Sequence, residues 1–136
     1  MTEVSLNERD RREYEEKVEE LETKINALRE FELSDDKAEE MAELSDPYTR
    51  DLHSRLIMPV SVYEDGTVDP GTPRAVEGGT SIRWEDHVAF CAGCGSDDPD
   101  ECRRFFREFA GEQIAQWENE KSRYEAALEQ DVPVWY

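Results

Sequence analysis

The sequence predicts a mainly helical α+β fold, in which two long amphipathic helices, paired antiparallel, flank short helices and a small β insert. Three observations predict it: an a/d pattern near the N-terminus, a long aromatic stripe near the C-terminus, and a β-prone stretch with a turn signal between them. The 136 residues fit a single domain. Its predicted segments are a coiled-coil-like helix (1–33), short helices (34–56), a β/loop region with a zinc knuckle (57–98), a long helix (99–130) and an apolar tail (131–136).

The first helix is predicted over residues 8–32, where apolar residues alternate by four and three, as in an a/d seam. The seam residues are Tyr14, Val18, Leu21, Ile25 and Leu28. A parallel homodimer is not selected, because Lys24 would then face Arg29. The seam is therefore predicted to meet an antiparallel helix of this chain or of another. An amphipathic helix lying on its own core stays open.

Two short helices are predicted next. Ser34 suits the N-cap of one that runs to about Leu44. Asp46 and Pro47 suit the N-cap and first position of another, because the missing N–H of proline costs nothing there. That helix is predicted to end near Leu56.

A small antiparallel β element is predicted after these helices. Residues 57–63 are β-prone, and Asp65 and Gly66 follow as a pair typical of a two-residue hairpin turn. The return arm is predicted to be short, because residues 69–73 contain two prolines and a glycine. Residues 80–84 are predicted as a third strand.

The last helix is predicted from Pro99 to Gln130, with one apolar and aromatic face at near-helical spacing. That face consists of Phe106, Ala110, Gln113, Trp117, Tyr124 and Leu128. The apolar tail follows. Its residues Val134, Trp135 and Tyr136 are predicted to bind a partner's groove, because aromatic anchors dominate such contacts. Folding of the tail onto its own domain stays open.

A cluster of histidine and cysteine carries the only chemical signal. All three cysteines fall within twelve residues, in the pattern H-x3-C-x2-C-x7-C formed by His87, Cys91, Cys94 and Cys102. Four nitrogen and sulfur ligands suit tetrahedral structural zinc. The stretch from Cys91 to Gly95 also resembles the zinc knuckle of zinc-ribbon and treble-clef proteins, in which a tight turn brings two thiolates to one metal. One structural zinc per chain, held by these four residues, is therefore predicted.

Other arrangements of these residues stay open. His53 in place of His87, or a ligand from another chain, would complete a different zinc site. The cysteines would otherwise be thiols in a reducing compartment, or a disulfide such as Cys94–Cys102 would leave one odd thiol. Catalysis is not predicted, because the sequence lacks the H-x-E and P-C-x-x-C signature of zinc deaminases, a P-loop and a dinucleotide fingerprint.

The charge is extreme: 35 acidic residues against 16 basic ones give a net charge of −19. Such a chain repels itself in ordinary buffer, whereas molar salt shortens the Debye length to about 3 Å. The composition therefore predicts a protein adapted to high salt, with an acidic surface that mimics nucleic acid as the alternative. Binding to DNA is not predicted, because the best basic group (Arg103, Arg104 and Arg107) is short and lies in acidic surroundings.

These observations predict a non-enzymatic structural or assembly protein of a halophilic archaeon or of its virus, with protein partners or further copies of itself. A small zinc-finger regulator that binds protein or nucleic acid is the alternative. No membrane association is predicted, because no window approaches the ~18 consecutive apolar residues of a membrane helix. The N-terminus has no signal-peptide pattern, which predicts a cytoplasmic protein or a component of a virion assembled in the cytoplasm.

Overall fold

The structure, a computed structural model, describes residues 5–48, 54–77, 87–92 and 98–134. Within these residues the chain forms three helices and a small antiparallel sheet, which confirms the predicted mainly helical α+β class with two long helices. The elements in chain order are α1 (Glu8–Glu30), α2 (Asp35–Tyr48), β1 (Ser54–Val62), β2 (Val68–Pro70), β3 (Arg74–Glu77), β4 (Val88–Ala92) and α3 (Pro99–Gln130).

Helices α1 and α3 begin at capping side chains. The Asn7 side chain accepts a hydrogen bond from the Asp10 backbone N–H at 2.8 Å at the start of α1. The Asp98 side chain accepts one from the Asp100 N–H at 3.0 Å at the start of α3, where Pro99 fills the first turn. Each cap satisfies a backbone donor that the helix leaves unpaired.

The long helices pack against each other in opposite directions. Near the start of α1, the Arg11 guanidinium lies 2.6 Å from the carboxylate of Asp131, just beyond the end of α3. Near the other end, the rings of Phe31 and Phe106 lie 5.7 Å apart. The C-terminal part of the predicted a/d seam is buried here, at Leu21, Ile25 and Leu28. Of the arrangements that the sequence left open, the structure shows an antiparallel helix of the same chain against this part of the seam.

Helix α2 differs from the prediction. It runs without interruption to Tyr48, so the break at Asp46 and Pro47 and the separate helix to Leu56 are wrong. Residues 49–53 lie outside the described residues. Leu56 belongs to β1, where it pairs with Ala75 of β3. The segment is a strand because it pairs with residues about nineteen positions away (75 − 56 = 19). Local helix signals carry no information about such distant pairing.

Strand β1 is the centre of the sheet. On one side it pairs with β2 and then β3, which form a single return arm interrupted at residues 71–73, with Val62 opposite Val68 and Ile57 opposite Arg74. The arm is thus longer than predicted. On the other side β1 pairs with β4, with Met58 opposite Ala92. Strand β4 was not predicted, and the strand predicted over residues 80–84 lies outside the described residues.

The hairpin turn contains three loop residues instead of the predicted two. The N–H of Gly66 donates to the carbonyl of Tyr63 at 3.0 Å, and the N–H of Tyr63 donates to Thr67 at 2.9 Å. Gly66 has φ +89°, a left-handed value that glycine adopts without a steric penalty. A type I turn followed by such a glycine matches the twist of the two strands.

The core lies between the sheet and the helices. Side chains alternate along β1, and Met58, Val60 and Val62 (0%, 0% and 2% exposed) face the helices. One contiguous cluster joins them to residues of α1, α2, β4 and α3. Within the described part of the chain, no helix is long and apolar enough to cross a membrane.

Candidate metal ligands and interaction surfaces

His87 lies at the start of β4, beside the hairpin turn. Its carbonyl accepts a hydrogen bond from the N–H of Val62 at 3.1 Å. Its ring stacks on Tyr63, with centroids 4.9 Å apart and planes 23° apart. Both rings border an open groove of ≈ 610 Å³, which Lys17 and Lys24 of α1 line from the other side.

This first groove has mixed charge. The ammonium of Lys24 lies 2.9 Å from the carboxylate of Glu20, and their hydrogen bond holds the pKa of Glu20 below its usual value. The same groove is lined by Glu64 and Asp65. Since three carboxylates accompany two lysines, the groove offers no net positive charge to an anion.

Cys91 and Cys102 lie on different sides of β4. Phe90 and Ala92 pair with the core-facing residues of β1, and their side chains therefore share the core face. Cys91, between them in sequence, must point to the opposite face, where it pairs with Pro59. Cys102, in contrast, is 0% exposed within the core, in the first turns of α3.

His87 and Cys91 are also apart along the sheet. They lie opposite Val62 and Pro59 respectively, three residues apart on β1, which corresponds to about 10 Å. Zinc ligands must converge, since each donor atom lies about 2.0–2.3 Å from the metal. Among the described residues, no three histidine, cysteine or acidic side chains form a group able to hold a metal. Cys94 lies outside the described residues, so the four-ligand zinc site stays a prediction.

The sulfur of Cys102 is in a disulfide bond. A disulfide is one of the alternatives that the sequence leaves open. Zinc binds a cysteine as the thiolate, and a sulfur atom in a disulfide bond is not a thiolate. The zinc prediction therefore concerns the reduced chain.

We expect thiol titration of the protein, unfolded without reductant, to find one thiol per chain, and three after reduction, because a disulfide removes two of the three cysteines. Cys102→Ser is the matched control, in which both remaining cysteines should titrate before reduction. Elemental analysis of the reduced protein in high salt then tests the metal. One zinc per chain supports the predicted ligands, and three thiols with no zinc reject them.

Two of the three arginines at the start of α3, Arg103 and Arg104, contact groups of their own chain. Arg103 pairs with Asp35 of α2 and, at 2.8 Å, with Asp100. The guanidinium of Arg104 lies 5.2 Å from the centre of the Phe105 ring. Contacts with carboxylates compete with binding to phosphate, so Arg103 is a weak candidate for a nucleic-acid contact.

A second open groove, which we call the α1–α3 groove, lies between the end of α1 and the first half of α3 and has a volume of ≈ 480 Å³. Its apolar lining consists of Leu28, Phe31, Phe106, Ala110, Gly111 and Ile114. Its charged lining is balanced, with Arg29 and Arg107 against Glu30 and Glu32. A smaller cavity of ≈ 130 Å³ continues from Phe31. This groove was not predicted from the sequence.

The described part of the C-terminal tail folds back onto the helices. Pro133 is buried, and the N–H of Val134 donates to the hydroxyl of Tyr14 at 3.1 Å. This agrees with the alternative that the sequence left open. Trp135 and Tyr136, the other residues predicted to bind a partner, lie outside the described residues.

Comparisons with protein-family models, with curated proteins and with solved structures find no match for this chain.

Proposed function

We propose that this chain is a non-enzymatic structural protein that assembles with other protein chains at high salt, in the cytoplasm of a halophilic archaeon or in a virion formed there. The α1–α3 groove carries the proposal. It combines an apolar lining with balanced charge on a chain of net charge −19. An acidic surface repels other acidic proteins, so a neutral apolar groove is where contact costs least.

Exposed apolar surface supports this use of the groove. Phe31 and Ile114 line the groove and are only half-buried. Apolar area gains about 25 cal/mol per Å² when a partner removes it from water. At molar salt the long-range repulsion between acidic chains is screened, and this apolar gain then favours association.

The engagement of Arg103 by carboxylates of the same chain favours a protein partner over nucleic acid. A structural zinc belongs to the proposal as a stabiliser of the reduced chain, since metal binding would add folding free energy to a region of short strands. Neither part requires turnover of a substrate.

The test is the sedimentation of the tagged chain in extracts of a high-salt host, kept at molar KCl. We expect the chain to sediment faster than a monomer of 15.8 kDa would. Ile114→Glu, which places a charge in the apolar lining, should return it to the free chain. Ser122→Glu, at an exposed position of the same helix, is the matched control and should sediment like the wild type.

Two outcomes would count against this proposal. Wild-type chain at monomer mass in the extract would reject assembly. A complex that nuclease dissolves would favour the alternative, a small regulator that binds nucleic acid. Thermal unfolding of the purified Ile114→Glu protein shows whether it remains folded.

A further inference from the structure

We propose that the occupant of the α1–α3 groove is a second copy of this chain, in a two-fold dimer whose α3 helices cross antiparallel at Gly111. The inference rests on the proposed function of the groove and names the partner. It is carried by three features of α3: an exposed glycine, the charges on either side of it, and the groove beside it.

Gly111 has no role that the packing of its own chain explains. It lies within a 32-residue helix, is exposed, and a Cβ built on it meets nothing within 4 Å. Glycine destabilises a helix relative to alanine, so a side chain here would favour the isolated chain. The absence of a side chain does allow another helix backbone to approach closely.

The charges are arranged symmetrically around this glycine. Arg104 precedes Gly111 by seven residues and Glu118 follows it by seven. Seven residues bring a helix back to within about 20° of the same direction, so the three positions share one face. Each charged residue lies about 10 Å from Gly111 along the axis. Both are exposed.

This arrangement is complementary to itself only when the helices are antiparallel. With the crossing at Gly111, Arg104 of each chain lies beside Glu118 of the other, which forms two equivalent ion pairs. A parallel crossing would instead place like charges together. Glu118 also pairs with Arg29 of its own chain. The guanidinium of Arg104 from the second copy would therefore join an existing ion pair.

The rest of the face suits a second copy as well. Between the two ends lie Arg107, Glu108, Ile114 and Ala115, so the face carries two arginines and two glutamates in total. An antiparallel partner presents its own Ile114 next to the apolar lining of the groove, near Leu28 and Phe31. A two-fold contact uses the same patch on both chains and closes at two copies.

The decisive experiment measures the mass of the purified protein by sedimentation equilibrium in molar KCl across a range of concentrations. We expect 31.6 kDa for the wild type, twice the chain mass of 15.8 kDa. Gly111→Gln should weaken dimerisation at least tenfold because its side chain blocks the close approach. The same substitution should raise the melting temperature of the monomer, since glutamine favours helix and has open space here. Arg123→Gln, at an exposed position about 120° around the helix from Gly111, is the control and should remain a dimer.

A charge swap tests the orientation. Arg104→Glu should weaken dimerisation at least tenfold. Adding Glu118→Arg together with Arg29→Glu, which keeps an ion pair between residues 29 and 118 within each chain, should restore it, because the swapped charges again face each other. Contact pairs at an interface are screened less than exposed charges, so the effect should persist at high salt.

Each remaining outcome overturns the inference. A wild-type monomer that still sediments in a large complex in extracts removes the dimer and leaves the proposed function intact. A wild-type monomer in both settings removes both. A dimer that Gly111→Gln leaves unchanged places the contact elsewhere on the chain.

Discussion

Lowering the salt from about 1 M to about 0.1 M should unfold this protein, because the Debye length rises from about 3 Å to about 10 Å. The net charge of −19 then repels itself over distances comparable to the spacing of side chains on one helix. Repulsion of this kind destabilises the compact state relative to the expanded one. The expected result is a melting temperature that rises steeply with salt.

The structure shows where this repulsion acts. Glu15, Glu16 and Glu19 are exposed on the outer face of α1. Between α1 and α3, opposite charges meet at Arg11 with Asp131 and at Arg29 with Glu118. Exposed pairs of this kind contribute little, typically about 0.2–1 kcal/mol each. Burial of the core side chains must therefore hold the helices together, and we expect it to do so only when salt screens the acids.

The measurement is thermal unfolding followed by far-UV circular dichroism at a series of KCl concentrations. A triple variant, Glu15→Gln with Glu16→Gln and Glu19→Gln, should unfold at lower salt than the wild type, because it removes three repelling charges and no apolar contact. Sucrose, which stabilises folded proteins without screening charge, is the control for effects other than screening, and should raise the melting temperature less than KCl does. A melting temperature independent of salt would contradict the prediction.

The two long helices were predictable because their signals are local. The seam from Tyr14 to Leu28 repeats within the helix itself, and Asp98 with Pro99 announces the start of α3 only a few residues from the aromatic stripe. Helix α3 ends at Gln130 as predicted. A periodicity of this length is enough to identify a helix without knowledge of its partner.

The errors fall where distant pairing decides the structure. Leu56 was assigned to a helix, yet it pairs with Ala75 across the sheet. Strand β4 was not predicted, because the segment that contains Cys91 was interpreted as a zinc knuckle. Four of the strand's five residues pair with β1, about thirty positions earlier in the sequence, and periodicity within so short a segment does not identify a strand.

The candidate site shows the same division. The cysteines are close in sequence, but their spacing does not show which face of a strand each side chain occupies. Alternation along β4 turns Cys91 away from the core that contains Cys102. The α1–α3 groove joins Phe31 to Ile114, which are 83 residues apart (114 − 31). Only the packing of the helices could reveal it.

Phe106→Ala should greatly lower the free energy of unfolding, and by more than Phe105→Ala. Phe106 is 2% exposed on α3, and its ring lies 5.7 Å from Phe31 at the end of α1 and 5.8 Å from Phe90 on β4. One side chain therefore connects three elements. Truncation of a buried phenylalanine costs about 3–5 kcal/mol, through lost transfer free energy and the cavity left behind.

This loss is large relative to the total, since domains are stable by only about 5–15 kcal/mol. The neighbouring Phe105 is the matched control, because it is half-buried at the edge of the same cluster and Phe105→Ala removes the same atoms. Urea unfolding in molar KCl should give a free energy of unfolding that falls less than half as far for Phe105→Ala as for Phe106→Ala. Equal losses would mean that the core does not centre on Phe106, and that the contacts joining α1 and β4 to α3 lie elsewhere.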